Sequence, residues 1–176
     1  MIKFLVMDVD GTLTDGKIYM GQNGEVFKSF DVKDGFGIKD ILQEINISPI
    51  IITARYSDIL IRRCEELGIK YVFQGERDKL KKLNQFIIEK SKVDNYRYEL
   101  SEIAYIGDDI LDLQCMLPIK NNGGIVGCPK DAVKEVTKIA TFISSRNGGD
   151  GAVREFIEYL RIINNKKQIL KSKSKN

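Results

Sequence analysis

The segment at residues 2–12 reads IKFLVMDVDGT, and the interpretation of the whole sequence starts from it. Its first half is a short apolar run that ends in acidic residues, as is typical of a buried central strand. Asp8 and Asp10 stand two residues apart, so both carboxylates leave the strand end on the same side. This pair suits a nucleophile beside a proton carrier. Taken alone, a polar loop with helix-capping acids explains it better.

Apolar runs alternate with helical patterns along the rest of the chain. Strands are predicted at 49–52, 71–73, 103–106, 124–126 and 140–143, and helices at 34–46, 57–67, 78–92, 110–117, 131–136 and 151–163. The alternation predicts an α/β, Rossmann-like fold in which right-handed crossovers build a parallel sheet with helices on both faces. We expect Asp34 to cap the first helix and Pro118 to end the fourth.

A small β-hairpin is predicted between the first strand and the first helix. Asn23-Gly24 separates two short apolar runs, as is typical of a tight hairpin turn. We place this hairpin at residues 17–31, within one domain at residues 1–164. Residues 165–176 are a Lys-rich tail, which we expect to be a frayed, solvated terminus.

Three further groups of polar residues lie where ligands of parallel sheets bind, beyond the carboxyl ends of strands. Thr53 follows one predicted strand, the motif GDDILD at 107–112 follows another, and Lys79 begins a helix. Taken singly, Thr53 fits a helix cap, Lys79 a solvated surface residue, and the motif an acid-rich helix start. Clustered acids behind a buried strand are costly without a cation, however, and they suit magnesium.

Together these residues supply what phosphoryl transfer requires, namely a nucleophile, a cation and donors for the phosphoryl oxygens. We assign Asp8 as the nucleophile and Asp10 as the group that protonates the leaving oxygen and later activates water. The expected Mg²⁺ ligands are Asp8, the Asp10 carbonyl and Asp108. The expected phosphate-binding groups are Thr53, Lys79 and backbone N–H groups near Gly11.

The composition excludes several other kinds of chemistry. There is no His, which excludes His-based general bases and His metal sites. The three cysteines lack CxxC spacing and indicate a reducing compartment. No apolar run approaches the roughly 20 residues of a membrane span, and the chain starts on a strand pattern, so we expect a cytoplasmic protein without membrane contact. The Lys-rich end is weak evidence for a nucleic-acid partner, and we expect none.

The order DxDGT, Thr, Lys and GDDxxD resembles that of phosphatases of the haloacid dehalogenase superfamily. The resemblance extends from Met7 to about Glu155 and implies the fold and chemistry described above. The hairpin at 17–31 leaves no room for a large cap domain, so the chain resembles the minimal-cap subgroup. Members of that subgroup are tetramers in which neighbouring subunits help to close the active site. This implies a homotetramer that buries Tyr19, Met20 and Phe27 between subunits.

Shorter stretches refine the resemblance. DVDGTLTDGKIYM, KSFDVKDGFGI, ITAR, FQGERDKL, YIGDDILD and GGDGAVRE are similar to phosphatases of 3-deoxy-D-manno-octulosonate 8-phosphate, which release a sugar acid used in lipopolysaccharide. This similarity implies a phosphorylated eight-carbon sugar acid as substrate. Arg55 and Arg63 are then the substrate-binding residues, with Arg154 as a further candidate from the same or a neighbouring subunit. Ala54 is a departure, since these phosphatases commonly have Gly there.

Other substrates and classes of protein share parts of this pattern. Phosphatases of nine-carbon sialic-acid-type 9-phosphates have most of these motifs, but with Glu at the position of Arg55 and Lys at that of Glu66. Phospho-receiver domains place the acidic pair first and the phosphorylated Asp later, which is the reverse of the order here. A non-catalytic regulatory relative would lack Asp8 or Asp10, and neither is missing. A phosphotransferase or mutase stays open, because a second acceptor site leaves no mark in the sequence.

Overall fold

The computed structural model describes the backbone of residues 1–173 and the side chains of residues 1–166. In chain order its strands are β1 (Phe4–Met7), β2 (Tyr19–Gly21), β3 (Gly24–Phe27), β4 (Ser48–Ile52), β5 (Tyr71–Phe73), β6 (Ile103–Ile106), β7 (Ile125–Cys128) and β8 (Phe142–Ile143). Within the described residues, six of them form one sheet in the order β5-β4-β1-β6-β7-β8, and every neighbouring pair is parallel. β2 and β3 form a separate antiparallel hairpin. The predicted α/β fold with its hairpin insertion is therefore confirmed.

Helices connect the strands of the parallel sheet. In chain order they are α1 (Val32–Phe36), α2 (Leu42–Glu44), α3 (Asp58–Leu67), α4 (Lys79–Val93), α5 (Leu113–Asn121), α6 (Lys134–Thr137) and α7 (Ala152–Lys173). A π-helical segment, Gly37–Ile41, joins α1 to α2, and short 3-10 turns precede β6 and α5. Of the helices that the structure describes, none combines the length and the apolar character that crossing a bilayer requires.

The side chains of β1 alternate between the two faces of the sheet and so divide the core in two. Leu5 and Met7 pack on the side covered by α3, α7 and the helical segment 32–44. Phe4 and Val6 pack on the other side, against α4 and α5. The same alternation places the next residue of this set, Asp8, on the side where α4 and α5 begin. The strand pattern thus determines which helix starts the Asp8 side chain can reach.

The first helix begins differently from the prediction. Asp31 is its N-cap, because the Asp31 side chain accepts the backbone N–H groups of Lys33 at 2.6 Å and Asp34 at 3.2 Å. Asp34 is buried and its side chain accepts the N–H of Arg154 at 2.7 Å, in the first turn of α7. The expectation that Asp34 caps the first helix is therefore wrong, since its carboxylate caps the last helix instead.

Two helices run further than predicted. α5 continues past Pro118 to Asn121, because Met116 and Ile119 are buried against the sheet and offset the cost of a proline, about 3 kcal/mol. α7 continues to Lys173, and the predicted end at residue 163 is wrong because no Gly or Pro follows to stop a helix. The Lys-rich tail is thus helical as far as Lys173. Its residues 174–176 lie outside the described part of the chain.

Candidate active site at the carboxyl ends of the strands

Asp8 lies directly after β1, and its backbone N–H donates to the carbonyl of Ile106 in β6 at 3.0 Å. Its side chain is buried, and Oδ1 accepts from Nζ of Lys79 at 2.6 Å. Lys79 is the first residue of α4 and is only 2% exposed. The structure therefore brings the predicted nucleophile and the predicted cationic side chain into direct contact, and it excludes the alternative of a solvated Lys79.

Asp112 holds Lys79 from the other side. Its Oδ1 accepts from Lys79 Nζ at 2.7 Å and from the Tyr105 hydroxyl at 2.7 Å, and its Oδ2 accepts from the N–H groups of Asp108 at 2.9 Å and Asp109 at 3.1 Å. A carboxylate has about four lone-pair sites, and all of them are used here. Asp112 thus orients Lys79 and the 107–112 turn, and its two oxygens have no lone pair left for another ligand.

Asp108 approaches the DxDGT segment closely. Its Oδ1 accepts from the Thr12 hydroxyl at 2.8 Å. Gly11 has a φ of +95°, and a Cβ added there would lie 2.0 Å from Asp108 Oδ2. Only glycine therefore fits at Gly11, because any side chain would displace the Asp108 carboxylate. The Gly11 N–H, a predicted phosphate donor, points to the Thr14 hydroxyl at a long 3.4 Å.

Three carboxylates lie close together, and two of them, Asp8 and Asp112, bind the Lys79 ammonium. Oxygens of Asp8, Asp108 and Asp112 lie within 4.8 Å of one another. Burial, and then repulsion from Asp112, raises the pKa of Asp8 to about 7 even though Lys79 opposes the change. Burial, and then repulsion from Asp8 and Asp112, raises the pKa of Asp108 to about 8.

These shifts come first from burial and then from repulsion among the carboxylates, and a divalent cation would stabilise the ionised carboxylates. Since Asp112 is saturated, Asp8 and Asp108 are the carboxylates that fit such a cation. Oxygen donors of this kind suit a hard ion such as Mg²⁺. The residues present therefore fit the predicted metal.

Asp10 belongs to a second cluster of charged side chains. Its Oδ1 accepts from Nζ of Lys28, and Nε of Arg55 lies 3.4 Å from its Oδ2. Glu25 completes the cluster, because it contacts Lys28 Nζ at 2.9 Å and Arg55 at 3.5 Å and accepts from the Ser57 hydroxyl at 2.6 Å. The hairpin thereby reaches the predicted proton carrier.

Three further predicted residues are Thr53, which follows a strand next to β1, and Arg63 and Arg154, which form ion pairs with other residues. Thr53 follows β4, the neighbour of β1, and is buried there, with its N–H donating to Phe73 O at 3.0 Å. Arg63 pairs with Glu66 at 2.8 Å and lies 5.7 Å from the ring centroid of Phe30. Arg154 pairs with Glu158 at 3.0 Å. Of the arginines considered, the described contacts bring Arg55 alone to Asp10.

The sequence patterns did not predict the contacts of Lys28 and Glu25 or the role of Asp112. Asp112 had a detectable signal, because it stands four residues after Asp108 in a turn that begins with Gly107. A Cβ at Gly107 would lie 2.3 Å from the Asp112 carboxyl carbon, which explains the glycine. Lys28 and Glu25 carry no such signal, since a charged pair on a hairpin usually indicates a solvated surface.

No protein-family model matches the chain. Among curated proteins, it is 36% identical over 173 residues to the 3-deoxy-D-manno-octulosonate 8-phosphate phosphatase KdsC of Salmonella typhi and to that of Escherichia coli K12. The aligned part covers 98% of this chain and 86% of each relative.

Solved structures show the same relationship. The Moraxella catarrhalis 3-deoxy-D-manno-octulosonate 8-phosphate phosphatase, in complex with a magnesium ion, a phosphate ion and KDO, is 35% identical with a TM-score of 0.80. The match covers 98% of this chain and 92% of that one. The cobalt-bound Haemophilus influenzae deoxy-D-mannose-octulosonate 8-phosphate phosphatase is 35% identical with a TM-score of 0.79, covering 93% of this chain and 90% of that one.

Proposed function

This chain belongs to the 3-deoxy-D-manno-octulosonate 8-phosphate phosphatase family of the haloacid dehalogenase superfamily, and from that premise we propose that it hydrolyses this sugar phosphate in a magnesium-dependent reaction. The products are the free eight-carbon sugar acid and phosphate. The contact of Asp8 with Lys79 beside Asp108 is the observation that carries the proposal, because it combines a nucleophile with a fixed positive charge.

The first step forms an aspartyl-phosphate. An oxygen of Asp8 attacks phosphorus, the bond from phosphorus to the ester oxygen breaks, and Asp10 gives its proton to that leaving oxygen. Lys79 stabilises negative charge on the phosphoryl group, as preorganised cations do in such transition states. In the second step Asp10 takes a proton from a water that attacks phosphorus, and the bond to Asp8 breaks. Phosphate leaves and both carboxyl groups return to their starting states.

Asp8, Asp108 and the backbone carbonyl of Asp10 are the groups we assign to Mg²⁺. The bound ion would supply positive charge that offsets the negative charge on the phosphoryl oxygens. The raised pKa values of Asp8 and Asp108, caused first by burial and then by repulsion among the carboxylates, support this assignment. The magnesium-bound and cobalt-bound forms of the two solved relatives support a divalent ion in this family.

Arg55 is the residue we assign to the carboxylate or hydroxyl groups of the sugar acid. Its side chain is 43% exposed beside Asp10, so the guanidinium is accessible at the position where a leaving sugar would lie. A guanidinium can bind a carboxylate through two parallel hydrogen bonds. Arg63 stays a prediction as a second substrate-binding residue, since none of its described contacts reaches Arg55 or Asp10.

A homotetramer is part of the same proposal, and the hairpin supports it. Met20 is 66% exposed and Phe27 is 50% exposed, so their apolar side chains are available to a neighbouring subunit. Tyr19 is half-buried and stacks on Phe27 at 4.2 Å between ring centroids. Light scattering should give the mass of a tetramer, which Phe27→Lys should reduce; a wild-type monomer at micromolar concentration would contradict the proposal.

We also propose a cytoplasmic location, which the three free thiols support.

The experiment that tests the function measures phosphate release from a panel of esters. It includes the eight-carbon 8-phosphate, nine-carbon 9-phosphates, hexose phosphates and an aryl phosphate, each with Mg²⁺ and with EDTA. We expect the highest kcat/KM for the eight-carbon ester. Activity should be absent in EDTA and should return when Mg²⁺ is added. Full activity in excess chelator, or a single turnover that leaves a stable phosphoprotein, would refute the proposed enzyme. A preference for a nine-carbon ester would change the substrate alone.

A further inference from the structure

We infer that Lys28 is a positioning residue that fixes the orientation of the Asp10 carboxylate, so that the hairpin takes part in proton transfer. This inference rests on the proposed function, in which Asp10 protonates the leaving oxygen. Lys28 follows β3 directly, and its side chain is 2% exposed. The side chain therefore leaves the hairpin surface and extends inward.

The contacts of Lys28 explain why such burial is tolerated. An ammonium taken out of water is costly unless it is paired. Nζ of Lys28 meets Asp10 Oδ1 and lies 2.9 Å from Glu25 Oε1, so it has two carboxylate partners. Removing Lys28 would leave both carboxylates close together with less positive charge between them. The Asp10 side chain would then lose the contact that holds its Oδ1.

The two cations on Asp10 differ in how free they are to move. Arg55 approaches Asp10 Oδ2 at 3.4 Å, but its side chain is 43% exposed against 2% for Lys28. When Arg55 turns toward a bound sugar acid, Lys28 stays in place and keeps Asp10 oriented. General acid catalysis requires the donor within hydrogen-bond reach of the leaving oxygen, so a freely rotating Asp10 would transfer its proton less often.

The effect should depend on the leaving group. Phenolate is a stronger base than 4-nitrophenolate and needs the proton more, although the two aryl phosphates are similar in size. We expect Lys28→Met to lower kcat on phenyl phosphate by roughly ten- to a hundredfold, which is part of the contribution of about 10²–10⁴ that a positioned general acid makes. The loss on 4-nitrophenyl phosphate should be several times smaller, and KM should change little for either ester.

Two further variants complete the experiment. Lys28→Arg keeps a cation that can bridge Asp10 and Glu25, so it should recover part of the lost kcat with the same leaving-group dependence. Lys17→Met is the matched control, because Lys17 lies just before β2, its side chain is 74% exposed and it pairs with Asp15 at 3.7 Å. It should leave both rates unchanged. If Lys28→Met does not fold, Lys28→Arg carries the test through its smaller but still leaving-group-dependent loss.

The outcomes separate this inference from the proposed function. Equal losses on the two esters would show that Lys28 serves the fold, and a higher KM with unchanged kcat would show that it binds substrate; either result overturns the positioning role. A wild-type protein that releases phosphate from no ester would instead refute the proposed function. An active wild-type enzyme with unselective Lys28 variants refutes the inference alone.

Discussion

The Nζ atom of Lys79 lies 2.6 Å from Oδ1 of Asp8, although the two residues are 71 positions apart in the chain. Both side chains are buried, and Lys79 also bonds to Asp112 at 2.7 Å. Burial by itself would lower the pKa of Lys79, but attraction to Asp8 and Asp112 outweighs burial and raises it. Lys79 is therefore charged, and its loss would leave two buried carboxylates without a counterion.

Lys79→Met should consequently abolish turnover and destabilise the protein. Removing one partner of a buried ion pair typically costs about 3–5 kcal/mol, which urea unfolding will measure. Lys81→Met is the matched control, since Lys81 is exposed in the same helix turn and should change stability by less than about 0.5 kcal/mol. An active, fully stable Lys79→Met protein would contradict the role assigned to this ammonium.

Asp8→Asn should abolish phosphate release and leave the fold intact. The amide is a poor nucleophile, but it keeps the shape of the carboxylate beside Lys79. The substitution also removes one of the three clustered carboxylates, so the melting temperature without magnesium should not fall. Phosphate release and thermal melting check the two parts separately. Substantial turnover by a well-folded Asp8→Asn protein would exclude the aspartyl-phosphate mechanism.

Asp10→Asn should slow the reaction through loss of proton transfer. A general acid–base group contributes roughly a hundred- to ten-thousandfold, so kcat on an alkyl phosphate should fall by that order. Asp10 contacts Lys28 and Arg55, and Asn keeps its size while reducing these attractions. Steady-state kinetics with a fixed Mg²⁺ concentration will measure the change. A loss smaller than about tenfold, well below that range, would assign the proton to another group.

Arg55→Ala should lower activity toward the sugar-acid ester more than activity toward a generic ester. The Arg55 guanidinium lies 3.4 Å from Oδ2 of Asp10, the group proposed to protonate the leaving oxygen, and its side chain is 43% exposed, so it can contact the leaving sugar. We expect kcat/KM for the eight-carbon ester to fall far more than kcat/KM for 4-nitrophenyl phosphate. Arg63→Ala, measured in parallel, tests whether the second predicted arginine acts on substrate. Equal losses on both esters by Arg55→Ala would mean that Arg55 serves the phosphate or the fold.

Asp34→Asn should stabilise the protein, and more so at high pH. Burial raises the pKa of Asp34 from 3.8 to about 6, and Oδ2 has no hydrogen-bond partner among the described residues. The folded state therefore binds more protons than the unfolded state between those two pKa values, and stability falls as pH rises through them. Asn keeps the acceptor for the Arg154 N–H and avoids this buried charge.

The expected gain for Asp34→Asn is about 2–3 kcal/mol at pH 8, at 1.36 kcal/mol per pKa unit, and roughly half of that at pH 5. Urea unfolding at the two pH values measures it. Asp40→Asn serves as the comparison, because Asp40 is exposed on the helical segment 32–44 and should change stability little at either pH. A gain of the same size at pH 5 and pH 8 would mean that ionisation of Asp34 is not its cause.

The order and type of the elements were determined by the sequence itself. Apolar runs such as Ile50–Ile52 and Ile103–Ile106 predict buried parallel strands, because only strands covered on both faces lack polar alternation. The places where Asp8, Thr53 and Asp108 follow these strands also come from the sequence. Parallel strands end at one edge of a sheet, so these residues were expected to lie near one another.

Local pattern failed where a boundary depended on distant packing. The neighbouring sequence predicts that Asp34 caps the first helix, yet its carboxylate binds the start of α7, 120 positions away. α7 continues past residue 163, and Asn164 there is buried and accepts the N–H of Ile2, 162 positions away, at 3.1 Å. Neither contact has a periodic signature in the sequence.

Tertiary structure alone decided which charges meet. The sheet order places β1 between β4 and β6, and this order brings Asp8 to the helix starts that carry Lys79 and Asp112. The fold of the hairpin over the strand edge likewise makes Lys28, for which the sequence patterns predict no site role, a buried partner of Asp10. Periodicity encodes whether a side chain faces a core, because burial repeats with the helix or strand. The pairing of charges depends on the relative placement of whole elements, which single-residue patterns do not encode.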